Sequence, residues 1–159
     1  MDLTLVKYLT ALFMQVQVAI NPAAAHTGSP LEVANSAALA VAQSKPLSGI
    51  SKEELVSVLA VLAWHEGKNN PNAIGTATCN ASGDCSSYST WQLDHRPETL
   101  GDSATAARYA LYIVIAGYRN TPLHPLCGYA GSCRNAKAIG IADDRLKEAR
   151  AALQMVQTH

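Results

Sequence analysis

Glu66 closes an apolar run, Leu55-Val56-Ser57-Val58-Leu59-Ala60-Val61-Leu62-Ala63-Trp64-His65-Glu66, and Gly67 follows at once. A carboxylate at the end of a buried helix must be paired, hydrogen-bonded or protonated, because its charged form loses hydration there. Neighbours such as Leu62 and Trp64, with the negative end of the helix dipole, favour the protonated form. A carboxyl held protonated near neutral pH is what a general acid needs. The plainer reading is a solvated Glu at a helix terminus, paired with Lys68, and position alone favours it. His65 is adjacent on the helix, does not face Glu66 and reads as structural. His95, His124 and the other histidines lack ligand-like spacing, so neither a metal nor another cofactor is expected.

The four cysteines form two pairs of equal spacing, Cys79 with Cys85 and Cys127 with Cys133. Closing each pair as a disulfide would contribute roughly 2 kcal/mol through loop entropy and would imply an oxidising compartment. Crossed pairing stays open at this level. A four-thiolate zinc site is the alternative, disfavoured because such sites use shorter gaps.

The elements that position these residues follow from periodicity and capping. Leu5, Leu9, Leu12, Phe13, Val16 and Ile20 recur at helical spacing, which predicts a packed amphipathic helix. A cleaved signal peptide is the competing reading of this stretch. Asp2 stands where that reading needs positive charge, and Lys7, Gln15 and Gln17 leave the run too short and polar for a stable membrane span. Residues 1–28 are therefore expected to form an N-terminal helix and connector, with the main domain over 29–159. Ser29-Pro30-Leu31-Glu32 predicts a capping box and a helix to about Gln43. Ser51 and Glu54 predict a second box that opens the run to Glu66, a helix apolar on nearly all sides and hence central. Residues 67–101 are rich in Gly, Asn, Ser and Pro and predict irregular or short-stranded structure, a segment length usually tied to function. Asp102 or Ser103 caps a helix burying Ala106, Ala107, Ala110, Leu111 and Val114 and ending near Gly117. A last helix or helix pair covers about 134–157, with Gly140 a candidate break and Leu146, Ala149, Leu153 and Val156 inward.

Composition bounds the function. The chain has 159 residues, 48% hydrophobic and 15% charged, enough for one domain with a sizeable core. Twelve basic and twelve acidic residues cancel, so net charge gives no basis for capture of nucleic acid or an anionic membrane. Abundant Ala and long apolar stretches favour a mainly α fold.

The order of elements after Glu66 carries more information than any one of them. Trp64-His65-Glu66-Gly67 leads through Asn69-Asn70-Pro71-Asn72-Ala73-Ile74-Gly75 to Ser87-Tyr88-Ser89-Thr90-Trp91-Gln92-Leu93, and later to Cys127-Gly128-Tyr129-Ala130-Gly131-Ser132-Cys133. Over roughly residues 52–150 this resembles the lytic transglycosylase and goose-type lysozyme superfamily. There a catalytic Glu ends a helix, an Asn-Pro-x-Ala-like turn follows, a Ser-x-Gly-x-x-Gln-hydrophobic element lines the cleft, and a later Tyr lies near the Glu. Two positions depart from that pattern: Gly67 stands where many transglycosylases have Ser, and Ser89 where the cleft element has Gly.

The resemblance implies an α+β lysozyme-like fold and cleavage of peptidoglycan glycan strands between N-acetylmuramic acid and N-acetylglucosamine, with Glu66 protonating the glycosidic oxygen. Ser87 and Gln92 then line the cleft, and Tyr88, Trp91 and Tyr129 stack on or hydrogen-bond sugars. Core packing is the alternative for Trp91. Hydrolysis by water would call on a second carboxylate, with Asp84 the first candidate and Asp94 the second, whereas closure by the muramoyl 6-hydroxyl needs none. Asp84 in Gly83-Asp84 also suits a plain turn. A virion or cell-envelope location is a further implication, with residues 1–20 docking into a larger assembly. A silent glycan-binding or structural module of the same fold is the rival function.

Overall fold

Helix α3 (Lys52–Gly67) is buried continuously from Leu55 to Trp64, so the remaining helices gather around it. In the computed structural model, which describes residues 1–159, α1 (Leu3–Ile20) and α2 (Pro30–Gln43) pack on α3 and on each other. Helix α4 (Ser103–Asn120) packs on α2, and α5 (Ala136–Gln157) on α3 and α1. A three-stranded antiparallel sheet in the order β1 (Ile74–Thr76), β2 (Ser86–Tyr88), β3 (Leu93–Asp94) supplies the rest, giving a mainly α, α+β fold.

Most helix faces match the apolar periodicity. α4 buries Ala106, Ala107, Ala110, Leu111 and Val114, and α5 buries Leu146 and Ala149 with Leu153 and Val156 packed against the core. Asp102 caps α4 through Thr105 N–H, and Ser51 caps α3 through Glu54 N–H. The Ser29 box does not form. The Ser29 side chain caps nothing, and Glu32 instead accepts from Ser103 Oγ at 2.6 Å, tying α2 to α4. Gly117 does not end its helix; α4 runs on to Asn120, and the missing side chain admits the Pro125 carbonyl against the helix. Gly140 likewise lies inside an unbroken α5.

Helix α1 is not a separable arm. Leu9, Phe13 and Val16 are fully buried in the same core as α3, so residues on the two sides of position 28 pack together. Its 18 residues have a mean hydropathy of 1.5, long and apolar enough by length and composition alone to cross a membrane, a test that the core helix of a globular protein also passes. In the fold its inward face lies against protein instead. Gln17 is fully buried and forms a reciprocal amide pair with Asn69, Nε2 to Oδ1 and Nδ2 to Oε1 both at 2.8 Å.

Candidate active site

Glu66 occupies the last turn of α3, and two left-handed residues, Lys68 at φ 52° and Asn69 at φ 59°, reverse the chain directly after it. Such conformations cost non-glycine residues energy and need support from outside. Support comes from the Gln17–Asn69 pair, from Asn69 Nδ2 donating to the Ala24 carbonyl, and from Ser29 N–H donating to the Asn69 carbonyl at 2.8 Å. Lys68 folds its ammonium over the Trp64 ring, 4.2 Å from the centroid, rather than pairing with Glu66. His65 turns to α5, its Nε2 2.6 Å from Glu148 Oε2.

The stretch 87–92 is clamped onto α3 from the other side. Trp91 is fully buried and its Nε1 donates to the Leu59 carbonyl at 3.0 Å, while Thr90 Oγ1 donates to the Ala63 carbonyl. Trp91 is therefore core, not a sugar-stacking ring. Gly67 permits the clamp, since a Cβ there would lie 2.5 Å from Thr90 backbone atoms. Ser89 has φ 68°, the left-handed region that favours glycine. Ser87 and Gln92 do come together: Ser87 Oγ donates to Gln92 Oε1 at 2.8 Å, and Gln92 Nε2 donates to the Ser89 carbonyl. Gly75 leaves room for that amide.

Four groups converge electrostatically at the cleft. Burial raises the Glu66 carboxyl above the usual carboxylate range, Arg145 opposes that shift, Asp94 reinforces it, and Lys68 opposes it more weakly. Glu66 is nonetheless an exposed residue and makes no ion pair, so its carboxyl loses only part of its hydration. Tyr129 lies within the Cys127–Cys133 loop; its hydroxyl donates to the Trp91 carbonyl and is pushed up by burial first and then by Glu66 and Asp94. Asp94, Gln92 and Tyr129 line a cavity of 270 Å³ together with Arg96, Tyr109 and Tyr112. A larger groove of 580 Å³ between the ends of α1 and α5 is lined by groups such as Met14, Val18 and Met155, with no carboxylate in its lining.

Asp84 does not share this setting. Its carboxylate accepts from Ser86 N–H at 2.9 Å and from the Tyr88 hydroxyl at 3.3 Å, which makes it a turn-former and draws the Tyr88 hydroxyl to that turn. Asp94 is the carboxylate coupled to Glu66, because strand register sets it opposite Ser87. Both disulfides form sequentially, Cys79–Cys85 and Cys127–Cys133, and leave no thiolate for a zinc site. Arg145, Tyr109 and Tyr112 escaped the sequence reading. The two tyrosines carried a usable signal, aromatic residues lying off the buried stripe of α4.

The fold and site thus define a mainly helical protein whose central helix ends in a carboxyl of raised pKa, electrostatically close to Asp94 and Tyr129, two residues that line a tyrosine-rich cavity. Comparison with models of known protein families, with curated proteins and with solved structures yields no match.

Proposed function

We propose that the protein cleaves peptidoglycan glycan strands at the β-1,4 bond between N-acetylmuramic acid and N-acetylglucosamine. The observation that carries this reading is Glu66, raised toward its protonated form and electrostatically coupled to Asp94, which lines a cavity with Gln92 and Tyr129. The Glu66 proton passes to the glycosidic oxygen as the bond to the anomeric carbon breaks. The charge developing on the sugar is offset by Asp94. The muramoyl 6-hydroxyl then closes on the anomeric carbon and returns its proton to Glu66, so no water is consumed. Tyr129 and Gln92 orient the sugar on the cleft wall, and Ser87 holds the Gln92 amide.

Glu66→Gln keeps shape and removes the proton, and is expected to abolish release of muropeptides from purified walls while leaving the melting temperature intact. Full activity in this variant would overturn the assignment. Mass spectrometry of the products separates the two second steps, since an anhydro product is one water lighter than a hydrolysed one, and a hydrolysed product would give Asp94 the role of water activator. Binding to walls without any released product would select the rival, a silent glycan-binding module. The two disulfides suit an oxidising setting, and we place the site of action at the cell envelope, as a wall-opening component of a virion or envelope machine. Docking through α1 would use its outward Tyr8 and Val18, because the inward face is already consumed by the core.

A further inference from the structure

The chain's charges cancel overall, yet two cavities next to the cleft are lined by basic residues and no acidic ones. Arg108, Tyr112, Ile115 and Arg119 recur along α4 at spacings of four, three and four, on the side away from its buried stripe. Two contiguous cavities of 450 and 340 Å³ lie along this stripe and share Arg108 and Tyr112. The first also shares Tyr109 and Tyr112 with the Asp94–Tyr129 cleft. Lys45 joins the second, and neither cavity has a carboxylate in its lining. Arg119 and Lys45 are exposed and unpaired, while Arg108 donates to Thr105 Oγ1 at 3.0 Å and lies near Asp102 at the helix start. Tyr112 is 72% exposed, a large ring with its face uncovered.

We infer that this stripe of α4 is a binding groove for an acidic peptide, and that its occupant is the peptide substituent carried by a glycan strand seated at Glu66. The inference rests on the proposed function for the identity of that strand. The stripe is about 16 Å long, from eleven helical steps, which matches about five residues of extended chain. A short peptide with free carboxylates at intervals finds guanidinium groups separated by Tyr112 and Ile115, which cover its apolar side chains. A phosphodiester polymer, charged at every unit, would leave those apolar stretches unmatched.

The test reads binding, not cleavage. Glu66→Gln protein is passed over beads carrying covalently coupled wall glycan strands, intact or stripped of their peptides by an amidase, and its retention is measured. Stripping is expected to weaken retention about five-fold, the scale of two exposed charge contacts. Adding Arg108→Gln and Arg119→Gln should cause the same loss on intact strands and none on stripped glycan, with unchanged melting as the control for folding. High salt should erase the difference. Equal retention of the Arg-altered and Arg-intact proteins on intact strands would overturn the groove. So would displacement from the beads by soluble poly(glycerol phosphate) at lower concentration than by a free acidic peptide. If the chain with Glu66 intact releases no muropeptides while peptide-dependent binding persists, the cleavage reading fails and the groove stands.

Discussion

Replacing Gln17 with Leu tests whether α1 is a structural part of the site. Gln17 and Asn69 are both fully buried, and Gln17 makes three hydrogen bonds, two with the Asn69 amide and one to the Ala60 carbonyl at 3.0 Å. Leucine conserves much of the volume but leaves Asn69 Oδ1 without a donor and Nδ2 with only the Ala24 carbonyl at 3.3 Å. A stranded buried polar group costs about 1–3 kcal/mol, against which Leu recovers part through apolar burial. The expected net loss is about 2 kcal/mol, which in a chain of this length lowers the melting temperature by about 4–8 °C. Circular-dichroism melts at neutral pH measure it. Asn69→Gly tolerates the positive φ and removes the stranded amide, so the double variant should be about 1 kcal/mol better than the sum of the single changes. Because the pair holds the turn after Glu66, cleavage should fall alongside stability. A melt of Gln17→Leu within about 1 °C of wild type, or strict additivity in the double variant, would refute the role given to this pair.

Three further perturbations bear on the site. Gly67→Ala drives a Cβ to 2.5 Å from the Thr90 backbone and should cost about 3 kcal/mol in urea unfolding with loss of cleavage, whereas Gly140→Ala meets nothing within 4 Å and should stabilise by about 1 kcal/mol. Arg145→Gln removes the cation that opposes the Glu66 shift, so the carboxyl keeps its proton to higher pH and the alkaline limb of the rate profile should move upward; an unmoved limb would count against Arg145 as a neighbour of Glu66. The same raised carboxyl favours the fold most below its unfolded pKa and loses that contribution as pH rises through the folded value, a dependence absent from Glu66→Gln. Losing either disulfide should cost about 2 kcal/mol, but only Cys127→Ser with Cys133→Ser should also depress cleavage strongly, because Tyr129 lies in that loop.

The features legible in sequence are those decided within one or two helical turns. The stripe of α4, the burial of α3 on all sides and the caps at Ser51 and Asp102 depend on neighbours close in the chain. Where a partner far away decides, local reading fails. Trp91 looks equally fit for a sugar and for the core until its indole meets the Leu59 carbonyl, 32 residues back. Ser29 and Glu32 spell a capping box, yet Ser103 captures Glu32 from 71 residues away. Asp84 precedes Asp94 as a candidate only while strand register is unknown; the register pairs Asp94 with Ser87, and Asp94, not Asp84, is the carboxylate that acts on the Glu66 pKa. The two departures from the resembled pattern have local physical explanations. Ser89 holds the left-handed backbone that a glycine would hold, and Gly67 leaves the space that the Thr90 backbone needs. The glycine at 67 and the clamped segment at 89–91 are therefore one device, which lets the Thr90 backbone lie directly against the end of α3. A side chain added at 67 without a compensating retreat at 90 would push the 89–91 segment off α3 and disturb the turn that follows Glu66.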